Sequence, residues 1–246
     1  MFNLQAKKNM KNIKNIFQYI YYMYYRTKIF LPKKSYSMYG EDKVIINFFK
    51  NKQNGFYVDV GCYHPLDGSN THLLYKKKWS GINIDVNELS IELFDLTRKH
   101  DENINLAVSD KKTKIKLYFR KKINMLNTIN KKLAKIHFQN GYQEKTVKSD
   151  SLNSILSKSK FKNKKIDFLN LDIEGNELSA LKSLNFKKYN PKLICIEIHN
   201  HEEMYNHESD YLKRNPVYKF LIKKNYKILW NNNFSYIFKR KKIIKP

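Results

Sequence analysis

The chain has 246 residues, 41% of them hydrophobic, and a formal charge of +26. That length supports one sizeable core or one domain with a short extension, and with only Cys62 and Cys195 it excludes a disulfide framework and makes a reducing compartment the default. Among its 48 basic residues only Arg26, Arg98, Arg120, Arg214 and Arg240 are arginines, the side chain favoured for bidentate phosphate and base recognition, so the charge alone does not mark a nucleic-acid surface. The lysine excess still predicts attraction to acidic surfaces at low salt.

Residues 1–34 read as a basic and aromatic helical extension, ahead of one catalytic domain over 35–246. The apolar stretch 16–25 is too short for a membrane span, which takes about 20 apolar residues, and no small-residue cleavage site accompanies it. Its tyrosines are apolar in body and polar at the tip, so peripheral membrane contact through residues 16–30 is the alternative to the favoured expectation, a helix packed on the domain. The expected location is cytoplasmic, with a membrane-peripheral variant.

Pro32 breaks that pattern, and residues 41–50 form an amphipathic helix with Val44, Ile45, Phe48 and Phe49 on one side. The run Phe56-Tyr57-Val58-Asp59-Val60-Gly61 reads as a strand buried on both faces and closed by a glycine. Beyond it Ser69-Asn70-Thr71 suits a helix N-cap, opening a helical pattern over 69–78. A second strand, 81–85, also ends in a carboxylate, Asp85; a helix over 88–100 and a third strand over 103–108 follow. Such alternation predicts a parallel βαβ sheet. Residues 115–119 read as a strand and 124–142 as a polar insert without a clear period; 147–156 supply a short strand and helix. A core strand over 166–171 ends in Asp172-Ile173-Glu174-Gly175, a helix covers 176–184, and a strand over 193–198 leads into His199-Asn200-His201. A helix over 211–224 and a hairpin of 226–230 with 234–238 close the chain.

In a parallel sheet a ligand settles beyond the carboxyl ends of the strands, which makes 59–71 the candidate cofactor loop. Gly61 and Gly68 are too far apart for the dinucleotide fingerprint, so a nicotinamide enzyme is disfavoured. Asp85 stands where a carboxylate can accept both hydroxyls of an adenosine ribose. Four blocks in order carry a resemblance over residues 38–198: Tyr39-Gly40-Glu41-Asp42, Phe56 to Gly61 with Gly68-Ser69-Asn70-Thr71, Trp79 to Asp85, and Asp167 to Glu177. Through them the chain resembles the FkbM family of S-adenosylmethionine-dependent methyltransferases. It departs from that pattern at Asp85, where the family often has Glu, and near Asn170, where it often has Lys.

The resemblance implies an α/β fold with a Rossmann-like, seven-stranded, mostly parallel sheet of the class I methyltransferase type, and S-adenosylmethionine as cofactor. It implies that Asp59, Gly61, Ser69, Asn70 and Asp85 hold the cofactor, that Ser109 lies beside the adenine, and that residues 111–150 shape the acceptor site. The reaction expected is O-methylation of a glycan, lipid-linked sugar or small natural product. Such a hydroxyl needs a base: His199, with an ordinary pKa of about 6.5, comes first, with Asp172 and Glu197 as alternatives. Glu174 is open between a functional role and a helix N-terminal acid. Asp172, Glu197, His199 and His201 could instead gather a divalent metal, but the expectation is a site without one. An RNA methyltransferase is favoured by charge but lacks a Pro-Pro-aromatic element at 172–175, and a non-catalytic binding module on the same fold is the third reading. Neither cysteine follows a proline, which disfavours an attacking thiol.

Overall fold

The computed structural model describes residues 13–25, 33–120, 123–198 and 211–241. Its strands, in chain order, are β1 (Phe56–Val60), β2 (Ser80–Asp85), β3 (Glu102–Asn105), β4 (Ala107–Val108), β5 (Thr113–Phe119), β6 (Gln143–Asp150), β7 (Phe168–Leu171), β8 (Leu193–Glu197), β9 (Tyr226–Asn231) and β10 (Ser235–Arg240). Seven of them form the central sheet, in the order β3-β2-β1-β7-β8-β10-β9. The first five positions pair in parallel, and β10 runs antiparallel to both of its neighbours. This is the seven-stranded, mostly parallel sheet that the resemblance leads one to expect.

Every residue of β1 and β7 is buried, as strands covered by helices on both faces must be. One face packs Val58, Val60, Leu169 and Leu171 into the larger core; the other packs Tyr57 and Phe168 with Trp79, with Ile45 of α2 (Glu41–Phe48) and with Phe49, the residue that caps α2 at its C-terminus. Phe48 of that helix is exposed, so its buried stripe is narrower than the four residues expected. The other helices are α1 (Ile13–Ile20), α3 (His72–Lys76), α4 (Glu88–Thr97), α5 (Lys131–His137), α6 (Leu152–Lys158), α7 (Glu177–Lys182), α8 (Tyr211–Arg214) and α9 (Pro216–Lys223).

Three departures from the expected elements have local causes. The expected third strand divides: β3 stays beside β2, whereas β4 pairs with Ser149 and Asp150 of β6 in a second sheet, ordered β4-β6-β5. Leu106 sits at the division and donates its N–H to the Asp85 carbonyl at 3.0 Å. Within the insert, Asn130 accepts from the N–H groups of Lys132 and Leu133 and starts α5, a cap that compensates for weak periodicity. The expected helix over 211–224 breaks because Pro216 has no N–H to continue it; Asn215 instead caps α9, accepting from Val217 and Tyr218.

At the N-terminal side, α1 runs into a π-helical turn, Tyr21–Tyr25. Tyr19 and Met23 are buried against Leu89 and Leu93 of α4 and against Ile123, and the Tyr19 hydroxyl donates to Glu92 at 2.9 Å. The same segment exposes Ile16, Phe17, Ile20, Tyr21, Tyr24 and Tyr25. Among the described residues no helix is long and apolar enough to cross a membrane.

Candidate active site

The site begins where β1 and β7 end. Gly61 has φ +76°, and a Cβ there would collide with the Asp172 carbonyl oxygen, so only glycine lets the two strand ends approach this closely. Asp59 is buried beside it. Its Oδ2 accepts from Thr71 Oγ1 at 2.6 Å and its Oδ1 from Asn170 Nδ2 at 2.9 Å. Burial raises its pKa, and the Thr71 hydroxyl, the Arg98 charge and Asn170 oppose that rise. Asn170 Oδ1 in turn accepts from Asn70 Nδ2 at 2.9 Å, so the loop after β1 is tied to β7.

The loop is held from behind by Arg98, the residue that caps the C-terminus of α4 and is 1% exposed. Its Nη1 donates to Thr71 Oγ1 at 2.7 Å and Tyr57 Oη at 3.0 Å; its Nη2 donates to the Pro65 carbonyl at 2.9 Å and Ser69 Oγ at 3.0 Å. The Tyr57 hydroxyl also bonds to Asp101, whose carboxylate accepts from Gly81 N at 2.7 Å and Asn83 Nδ2 at 2.9 Å. Burial works against the guanidinium charge, but Tyr57, Asp59 and Asp101 together leave its pKa raised.

In front of the loop lies a cleft that opens to solvent on one side. Gly61, Gly68, Asn70 and Asp85 line one side, Asn170, Asp172 and Asn176 the base, and Leu117, Asn124, Met125, Asn127 and Ile129 the outer wall. The outer wall comes entirely from the segment between β4 and β6. That segment is fastened to the loop after β7: Thr128 Oγ1 donates to the Glu174 carbonyl at 2.7 Å, and Leu133 packs where Gly175, at φ +91°, leaves no room for a Cβ. Asp85 accepts from Tyr63 N at 2.8 Å and Asn87 N at 2.7 Å, which leaves each carboxylate oxygen a lone pair for a ligand hydroxyl. Burial pushes its pKa up to about 6 against those two backbone donors.

With this sheet and cleft in view, residues 59–223 match the model of the methyltransferase FkbM domain. The chain belongs to the FkbM methyltransferase family. S-adenosylmethionine is its cofactor. A TehB-like SAM-dependent methyltransferase from Corynebacterium glutamicum is 10% identical, over 83% of this chain and 89% of that one, with a TM-score of 0.41. The 16S rRNA methylase ArmA is 14% identical over 82% of each chain, with a TM-score of 0.36. Likeness at that level says nothing about the substrate. No curated protein sequence gives a significant match.

In this FkbM chain the structure brings Asp59, Gly61, Asn70, Asp85 and Asp172 to one cleft. It does not bring Ser69 and Ser109 there. Ser69 is buried behind the loop against Arg98, and Ser109 Oγ lies 2.8 Å from the Lys111 carbonyl and 3.1 Å from Ser149 Oγ, where the two sheets part. His199 and His201 lie outside the described residues. Glu197 is half-buried at the end of β8; burial, then Glu177, raises its pKa, opposed by a hydrogen bond with Asp172. Both cysteines are buried, and burial pushes their thiol pKa values up, so neither supplies a thiolate.

Removing the Arg98 charge should be costly, because its oxygen partners would remain buried without a donor. Arg98→Met is expected to lower the unfolding free energy by about 3 kcal/mol or more and to weaken S-adenosylmethionine binding, read by urea denaturation and calorimetry. A variant as stable as the parent would contradict the anchoring role.

Proposed function

We propose that the chain transfers the methyl group of S-adenosylmethionine to a hydroxyl oxygen of a glycan, lipid-linked sugar or small natural product. One observation carries this reading: in a chain with 48 basic residues, no described residue lining the cleft is Lys or Arg. A phosphate-rich acceptor would find no cation there, which weighs against RNA. The lining instead offers the amides of Asn70, Asn124, Asn127, Asn170 and Asn176 for hydroxyls, beside the apolar Leu117, Met125 and Ile129. Carboxylates at Asp85 and Asp172 suit a cofactor that carries a sulfonium cation.

Methyl transfer is an in-line displacement: the oxygen–carbon bond forms as the carbon–sulfur bond breaks, the sulfur keeps the bonding pair, and the acceptor proton passes to a base. Asp172 is exposed at the end of β7 and lines the cleft, so it can take that proton, with Glu197 hydrogen-bonded behind it. His199, two residues beyond β8, is the other candidate. The segment from α1 to Tyr25 adds a docking role. Its exposed Ile16, Phe17, Ile20, Tyr21, Tyr24 and Tyr25, close in sequence to Lys7, Lys8, Lys11 and Lys14, suit an anionic membrane surface that would present a lipid-linked acceptor.

If Asp85 accepts the ribose hydroxyls, binding requires its ionised form. With its pKa at about 6, cofactor affinity should be level above pH 7 and fall about tenfold between pH 7 and pH 5 as protonation competes. Asp85→Asn should bind more weakly at pH 7 and lose that dependence; calorimetry giving the parent's affinity would refute the assignment. Incubation with labelled methyl donor and fractionated glycans, lipids and RNA should label the hydroxyl-bearing glycan or lipid fractions. Label in RNA would favour the RNA reading, and cofactor binding without any turnover would favour a binding module. Vesicles containing anionic lipid should sediment the full chain and lose it when residues 1–31 are deleted; equal recovery would end the membrane reading.

A further inference from the structure

Glu174 lies in the loop after β7 and is 6% exposed, yet its Oε2 meets no hydrogen-bond donor among the described residues. A buried carboxylate oxygen in that state is unfavourable unless it takes up a proton or a positive charge meets it. Among the described residues its ion-pair partner is His137 at the end of α5, at a long 3.7 Å from Oε2 to Nε2. Asp172 and Glu197 converge on the same point, so that one carboxylate oxygen from each of the three residues lies within 4.8 Å of the other two. Oxygen-coordinated divalent cations bind at about 2.0–2.6 Å, and ligand atoms on opposite sides of such an ion are about 4–5 Å apart. Three oxygens no more than 4.8 Å apart lie at most about 2.8 Å from a common point, so small side-chain adjustments bring them into one coordination shell.

The geometry points to a divalent cation site formed by Asp172, Glu174 and Glu197, with His137 next to it. Carboxylate donors select a hard ion of the magnesium, manganese or calcium type over a thiolate-seeking one. This departs from the metal-free expectation. It shares Asp172 and Glu197 with the acid-and-histidine cluster considered from the sequence, and Glu174 and His137, from the loop after β7 and from the insert, take the place of His199 and His201. Asp172 also lines the cleft, so the ion lies on the border between the cofactor side and the acceptor wall. There it could coordinate the acceptor hydroxyl and make its proton easier to lose. That consequence, unlike the binding itself, rests on the hydroxyl-methylation reading.

The test is a titration of the full chain with Mn²⁺, followed by electron paramagnetic resonance, with Mg²⁺ and Ca²⁺ as competitors. Saturable uptake of one ion is expected, weakened about tenfold or more in Glu174→Gln and in Glu197→Gln. Asp172→Asn, at an exposed position, should weaken uptake equally while its circular dichroism and melting temperature match the parent. No saturable uptake, or Asp172→Asn and Glu174→Gln chains that bind Mn²⁺ like the parent, would overturn the site. Methylation of a hydroxyl that proceeds in a chain without Mn²⁺ uptake would sink the site and spare the function. Mn²⁺ uptake at these residues with methylation confined to RNA would do the reverse.

Discussion

The cofactor side of the molecule depends on one buried cation. Among the described residues Arg98 forms no ion pair with a carboxylate; its guanidinium donates to neutral oxygens of Tyr57, Thr71, Ser69 and Pro65. Two of those hydroxyls pass the interaction on, Thr71 to Asp59 and Tyr57 to Asp101. The charge is thus balanced by two acids one hydroxyl away, on β1 and just ahead of β3. A network of this kind is stable only when every member is present, because each deletion leaves a buried group without its partner. Its consequence for function is rigidity. The loop from Gly61 to Thr71 is fixed by its back, so its front can present backbone and side chains to a ligand without being ordered by it.

The acceptor side is built on a different principle. The segment between β4 and β6 rests on the loop after β7 through the Thr128 hydroxyl and the Leu133–Gly175 contact, and Asn176 ties that loop to the Val108 carbonyl at 2.7 Å. The wall residues Leu117, Asn124, Met125, Asn127 and Ile129 can therefore vary in character while the Arg98 network and the sheet stay as they are. The anchored loop and the outer wall are physically separable here, as in other folds whose rigid sheets carry variable loops.

The same division decides what could be read from the sequence. The central strands were legible because burial on both faces forces nearly continuous apolar runs, such as Phe56 to Val60, interrupted by Asp59 alone, and Leu193 to Ile196. The small sheet was legible only in part: 115–119 reads as a strand and the end of β6 falls in the short strand after 147, but the first half of β6 does not. Gln143, Glu144, Lys145 and Thr146 are all exposed there and give no alternation to follow. Pro216 did carry a signal, a proline after asparagine inside a helical pattern. Arg98 carried none: as one of five arginines it reads as surface charge, and only the fold shows that α4 ends beneath the cofactor loop. Asn170 reads as a departure from a family pattern, whereas in the structure its amide joins Asp59 to Asn70. Ser69 and Ser109 have the right residue type at the right strand ends, but side-chain direction in a loop is set by partners that the sequence does not name.

That separation also resolves the tension between a strongly basic chain and a cleft lined by acids. Lys114, Lys116, Lys145 and Lys148 stand exposed on the small sheet, and in physiological salt the field of an exposed charge decays over about 8 Å. Lys145 is near enough to lower the pKa of Asp85, yet it is the weakest of the influences on that group, behind burial and the two backbone donors. A cationic methyl donor approaching the chain meets a positive field that salt screens, then enters a cleft whose carboxylates are screened far less. The lysines face the surfaces the protein meets, and the strand-end acids set the charge inside the cleft.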